Sequence, residues 1–389
     1  MTEDKRQLFD IPEDITYLNI ASLSPSFKSI EKAGIDAVIE KSRPYKIPTS
    51  DFFEPVITLK KLFAELIDAK DYNRIATIPS VSYGLANVAN NVSLNPDDEV
   101  IIIEEQFPSN VYIWKKLVKQ YGAKLKVIKA PDSETDFGSK WNESILEAIT
   151  NKTALVALGN IHWANGTIFD LAAIRKKTRA HNALLIIDGS QSIGALPFSV
   201  KEIDPDALVC AGYKWLFGPY GCAYAYYGPY FDDGTPIEEN WANRLNSENL
   251  SGLTNYQPEY KPLANRYTVG ENGSFIYVRM QIAALKEVLK FHPQELQDYC
   301  QSITEKAIDD LKSLGFHVRD AHERAKHLFG IELPKDIDVQ QLKSQLAESN
   351  IYVSFRGHYI RLSCHFYNTP QDFEKLVDCI SSILKPING

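Results

Sequence analysis

Two polar residues stand at the ends of apolar runs in the middle of the chain. Asp188 closes "ALLIID" (183–188) and is followed by "GSQSIGA", whereas Lys214 follows "ALVCAG" (207–212), flanked by Tyr213 and Trp215 and ahead of "FGPYG". Taken singly, a lysine is usually a solvated surface residue and an Asp before Gly a turn former. Their shared placement at strand ends changes that reading. An apolar, aromatic setting favours the neutral form of lysine, a better nucleophile toward an aldehyde. A buried carboxylate in turn needs a cation or strong donors. One ligand meets both needs: pyridoxal phosphate, with an aldehyde for Lys214 and a pyridine nitrogen for Asp188. The carboxylate keeps that nitrogen protonated, so the ring accepts the electrons left when a bond to a substrate Cα breaks.

These residues need elements that hold them. β-rich runs at 99–104, 124–130, 154–159, 183–188, 207–212 and 222–228 alternate with amphipathic stretches such as "NVYIWKKLVKQYGA" and "FDLAAIRKKTRAHN". Nearly continuous apolar strands between helices predict a mostly parallel sheet buried on both faces, with ligands bound beyond the carboxyl ends of the strands. From about 275 the texture shifts to long helical segments, "YVRMQIAALKEVLKF" and "QELQDYCQSITEKAIDDLKSLG". The shorter strands "HLFGIEL", "IYVSFRG" and "YIRLSCHF" and a last helix follow. We expect a large cofactor-binding domain at 16–265 and a smaller α+β domain made of 1–15 and 266–389.

Composition excludes several roles. With 389 residues, 44% of them hydrophobic, and a formal charge of −8, the chain can bury a large core and has no basic footprint for nucleic acid. No run of about 18 apolar residues occurs and the first residues lack a signal-peptide core, so no membrane role and a cytoplasmic location are expected. Five scattered cysteines without CxxC spacing suggest neither a disulfide framework nor a metal site.

"DGSQSIGA", with "AGYKWLFGPYG" after it, resembles the class V aminotransferases of fold type I, a group that contains cysteine desulfurases, kynureninases and isopenicillin N epimerase. The resemblance extends from "YLNIASLSP" to "IRLSCHFYNTPQDFEKL". It implies a fold type I architecture with a mostly parallel, seven-stranded sheet, a Schiff base at Lys214, and a homodimer with shared sites. In "IPSVSYGLANVANNV" it places Ser80, Val81 and Ser82 at the cofactor phosphate, where serine caps and free amides at a helix start suit an anion. Phe107 takes the ring-stacking position. Ser190 and Gln191 follow Asp188 at the cofactor, Gln191 against the ring or its phenolic oxygen. Tyr213 matches a tyrosine whose hydroxyl helps to bind phosphate, and Trp163 in "NIHWANGT" takes a place often held by Asn near the phenolic oxygen. His162 beside it is a contact residue or a structural histidine. Gly270 in "NRYTVGENG" aligns with a turn that reaches the phosphate of the neighbouring subunit in relatives, with Glu271 where they carry Thr. Arg361 matches the arginine that grips the substrate carboxylate, Arg356 receives a second anionic group or supports the loop, and Asn19 and Ala21 line the substrate pocket.

Transamination between an amino acid and a keto acid, through an external aldimine and a quinonoid, requires no motif beyond these. A C–S or other β-lyase and an epimerase remain the alternatives. Desulfuration is disfavoured, because "FRGHYIRLSCHF" has no cysteine between His358 and Arg361 and places Cys364 within an expected strand. A non-catalytic binding protein fits least, since Lys214 and Asp188 are both present.

Overall fold

The computed structural model describes residues 5–133, 135–334 and 337–384. The parts of the expected small domain at 1–4, 335–336 and 385–389 lie outside the described residues. A two-residue strand, β1 (Thr16–Tyr17), precedes the main sheet. That sheet is built from β2 (Ile75–Ile78), β3 (Glu99–Ile103), β4 (Lys124–Ile128), β5 (Thr153–Gly159), β6 (Leu184–Asp188), β7 (Ala207–Ala211) and β8 (Ala223–Tyr227). The strand order is β2-β8-β7-β6-β5-β3-β4. Neighbours run parallel except where β8 meets β7 and β2. This is the expected α/β architecture, with seven strands and one reversed.

Apolar residues along both sides of the strands bury the sheet on both faces. Val100, Ile102, Leu155 and Ile186 pack with Leu85, Val88, Trp114 and Leu117, whereas Ile101, Ile103, Val156 and Leu185 pack with Phe63, Trp141 and Ile174. Helices Val81–Asn90 and Ser109–Tyr121 thus cover one face, and Glu54–Leu66, Phe137–Ala148 and Leu171–Ala180 the other. The helix Val81–Asn90 lies unusually close to the sheet through Gly84. A Cβ there would stand 2.7 Å from both Ile78 Cδ1 and Val209 Cγ1. Gly84→Ala is therefore expected to overpack this contact and destabilise the protein by about 1–3 kcal/mol. Urea unfolding checks this, and a midpoint equal to wild type would contradict it.

The C-terminal part adds β9 (His317–Val318), β10 (Leu328–Glu332), β11 (Ile351–Tyr352), β12 (Ser354–Arg356) and β13 (Tyr359–Ser363). Four of these form an antiparallel sheet in the order β12-β13-β10-β9, and β11 pairs in parallel with β1. Leu296 and Ile303 of helix Pro293–Ser313 and Leu376 of helix Pro370–Leu384 share a core with Leu328 and Ile360. Cys364 falls just beyond the end of β13 rather than inside it. Among the described residues no helix is long and apolar enough to cross a membrane.

Candidate active site

The carboxyl ends of β3, β5, β6 and β7 and the turn after β2 converge on one cavity of about 200 Å³. Ser80, Val81, Ser82, Phe107, Trp163, Asp188, Ser190, Gln191, Tyr213 and Lys214 all line it. That is the crevice position at which open α/β sheets bind ligands.

Lys214 reaches the cavity from the hairpin turn that joins β7 to β8, a turn tied by Gly212 N–H donating to the Cys222 carbonyl at 2.9 Å and Gly218 N–H to the Gly212 carbonyl at 2.7 Å. Its side chain is 7% exposed, and no carboxylate among the described residues lies within ion-pair reach. Burial lowers its pKa to about 8, opposed by Asp188 and aided by Arg361. Roughly a tenth of such an amine is neutral at pH 7, against well under a thousandth for an ordinary lysine. Asp188 ends β6 opposite Gly159 of β5, and its Oδ1 accepts the Ser190 N–H at 3.0 Å. The Ser190 hydroxyl accepts the Ala211 N–H at 3.1 Å, which ties the Asp188 turn to the end of the strand before Lys214.

At the opposite end, Ser80 caps helix Val81–Asn90 by accepting the Tyr83 N–H at 3.2 Å, and the Ser82 hydroxyl meets Ser109 at 3.1 Å. Val81 and Ser82, at the helix start where backbone amides lack intrahelical acceptors, line the same cavity. The Phe107 centroid lies 5.5 Å from Lys214 Nζ, and its ring meets Trp163 edge-on at 5.4 Å. Tyr213 packs against Tyr220 at 4.4 Å, and burial raises its pKa first among several causes.

Gln191 has less freedom than its spacing suggests. Its Oε1 accepts the Trp215 Nε1–H at 2.9 Å and its Nε2 donates to the Ala21 carbonyl at 3.0 Å, which leaves one amide N–H for a further partner. Behind it His327 Nε2 lies 2.8 Å from the Gln191 carbonyl and Nδ1 2.6 Å from Gln297 Nε2. Since the Gln297 amide nitrogen can only donate, His327 Nδ1 accepts and Nε2 carries the hydrogen. Burial holds this imidazole neutral by lowering its pKa to about 4. His162 lines the cavity too, packed 5.3 Å from Trp141, and burial likewise lowers its pKa to about 4.

Arg361 and Arg356 approach from the small sheet. Arg361 is 2% exposed on β13, donates to the Ser22 hydroxyl at 2.7 Å and the Trp163 carbonyl at 3.1 Å, and its buried Nε has no hydrogen-bond partner among the described residues. Burial first, then Arg356, lowers its pKa to about 9. Asn19 stands nearby, its Oδ1 accepting from the Ser354 hydroxyl at 2.5 Å. Gly270, like Arg361, Arg356 and Asn19, is not among the residues that line the cavity, and it donates its N–H to Glu238 Oε1 at 2.9 Å. Ser22 and Tyr220 escaped the sequence reading: Ser22 carries no spacing signal, and reaches Arg361 because Ser363 N–H binds the Leu18 carbonyl at 3.0 Å. Tyr220 sat in the quoted "FGPYG" turn, where an aromatic beside Tyr213 was a usable sign.

A family model for aminotransferase class V matches residues 48–376. The chain belongs to aminotransferase class V. Among curated class V relatives, an uncharacterized aminotransferase of Bacillus subtilis is 24% identical over 386 residues, covering 98% of each chain. The isopenicillin N epimerase of Streptomyces clavuligerus is 19% identical over 80% of each. Among solved structures, the apo cysteine desulfurase of Thermococcus onnurineus superposes with a TM-score of 0.85 at 17% identity, over 100% of this chain and 99% of that one. A cystine C–S lyase complexed with cysteine persulfide also gives 0.85, at 18% identity over 95% and 98%. Pyridoxal phosphate is the cofactor of class V, and the residues here fit it: a buried, unpaired amine, a carboxylate across the cavity, and a helix N-terminus for the phosphate.

Proposed function

We propose that the chain is a pyridoxal-phosphate-dependent aminotransferase that uses Lys214 as covalent anchor and proton carrier. The observation that carries this reading is the buried Lys214 amine, free of any ion-pair carboxylate, in a cavity shared with Asp188. When bound, pyridoxal phosphate supplies an aldehyde for amines and a ring that takes up the electrons released at the substrate Cα. The Asp188 carboxylate, held in place by Ser190 N–H, would face the ring nitrogen and keep it protonated. Amides at Ser80–Ser82, with Tyr213, would hold the phosphate, and Phe107, Trp163 and Gln191 would border the ring. Arg361 binds the α-carboxylate, and Asn19 borders the substrate. Lys214 would hold the cofactor through its amine and, when that amine is free, would take up and hand on the proton of the substrate Cα.

All five cysteines are buried, which supports transamination over a reaction that needs a mobile thiol. We further propose a homodimer in which Gly270 serves the neighbouring site. Exposed Ile35, Val38 and Ile39 on one helix support that reading.

The test is a single-turnover scan of holoenzyme with each common amino acid and no keto acid. One equivalent each of pyridoxamine phosphate and keto acid, with colour restored by a keto acid, is expected. Repeated release of ammonia or sulfide would make the enzyme a lyase or desulfurase, and exchange of the Cα hydrogen with inversion and no keto acid would make it an epimerase.

A further inference from the structure

We infer that the substrate of this site is an acidic amino acid, with Arg356 receiving a side-chain acid while Arg361 holds the α-carboxylate. The inference rests on the placement of Arg361 proposed above and deepens it.

Strand pairing fixes the two arginines on one face. Ser354 lies opposite Arg361 in the β12–β13 ladder, and Arg356, two residues on from Ser354, shares its face. Both guanidinium groups reach the same Ser22 hydroxyl, Arg361 at 2.7 Å and Arg356 at 3.4 Å. Both also lie over Trp163, with centroid distances of 5.8 and 5.6 Å. Their remaining partners are uncharged, the Trp163 carbonyl for Arg361 and the Phe355 carbonyl for Arg356.

The charge balance is what selects the ligand. Among the described residues, neither arginine has a carboxylate within 4 Å, whereas Arg319 pairs with Glu332 at 2.9 Å and Arg6 with Asp372 at 3.4 Å; Arg324, buried ahead of β10, is held instead by the Arg319 and Ala325 carbonyls at 2.9 and 3.1 Å. Burial lowers the pKa of both Arg356 and Arg361, and in Arg361 the neighbouring arginine adds to that effect. Arg361 is buried and Arg356 partly so, and two cations held side by side without an anion are costly. An α-carboxylate alone, even one shared by both guanidinium groups, leaves one positive charge in excess. A second acid two or three carbons away satisfies both, and a guanidinium can bind it through paired N–H groups. An amino acid with a neutral side chain leaves the Arg356 charge uncompensated.

The test measures binding and involves no turnover. Holoenzyme is titrated calorimetrically with succinate and glutarate, and with butyrate and valerate as monocarboxylates of matching length. 3-Phosphonopropionate is included to tell a carboxylate-sized from a phosphate-type second acid. We expect a dicarboxylate, or the phosphonate, to bind at least about tenfold more tightly than its monocarboxylate, equivalent to about 1.4 kcal/mol. In R356Q that ratio should collapse toward one, with R356K retaining part of it. Equal affinities in the wild type, or a ratio that survives R356Q, would overturn the inference. The wild-type comparison stands even if a variant folds poorly. Because these ligands cannot react, the result does not depend on whether the enzyme transaminates, eliminates or epimerises.

Discussion

Lys214→Ala is expected to lose at least about 10⁴-fold in kcat, because it removes both the covalent anchor and the proton carrier. Pyridoxal phosphate should then dissociate on gel filtration, while far-UV circular dichroism stays at wild type. Steady-state assays with the donor found in the single-turnover scan check the rate, and a variant within tenfold of wild type would refute the role. The same lysine makes a separate statement about stability. Its pKa is about 8 in the fold and about 10.4 in an unfolded chain, so the unfolded state binds more protons between those values and stability rises with pH there. The penalty for burying the charged amine is complete below about pH 8 and fades as pH approaches 10.4. Apo Lys214→Met should therefore melt higher than apo wild type at pH 7, with the gap narrowing by pH 10. A gap that widens with pH would contradict the sign. Cofactor capture by the apoenzyme follows from the same value, since only the neutral amine attacks: its rate should rise nearly tenfold per pH unit below 8 and then level.

The second large effect is expected at Asp188. In Asp188→Asn the side chain keeps its size and can still accept the Ser190 N–H, but it no longer holds a negative charge against the ring nitrogen. A loss of about 10²–10³-fold in kcat is expected, the range seen when one preorganised electrostatic contact is removed. Cofactor bound through Lys214 should remain, so absorbance separates this variant from Lys214→Ala. Retention of wild-type kcat would remove Asp188 from the mechanism.

Much of this arrangement was legible in the chain because its signals are local. Apolar strands running into polar turns marked β3 to β8, and the residues just past β3 to β7 lie at the carboxyl ends of the parallel strands. The strand β2 was missed: "IATI" is four residues long, meets Pro79 at once, and gains its place only by pairing with β8. The reversal of β8 was equally invisible, since an apolar run carries no direction. Pairing partners far apart in sequence also explain Ser22, which contacts β13 through the Asn19–Ser363 bridge. Gln191 illustrates a third limit, because the spacing placed it at the cavity but could not show that Trp215 and Ala21 occupy most of its amide.

The most direct test of the central claim is chemical mapping. Holoenzyme is reduced with borohydride, which fixes the pyridoxyl group to whatever amine holds it, and then digested and sequenced by mass spectrometry. Lys60 is the natural internal control: it too is buried, with its pKa lowered to about 7, yet it lies in a separate cavity bordered by Phe52 and Phe53. A single pyridoxyl adduct on Lys214 is the predicted result. An adduct on Lys60 or another lysine, with Lys214 unmodified, would contradict it.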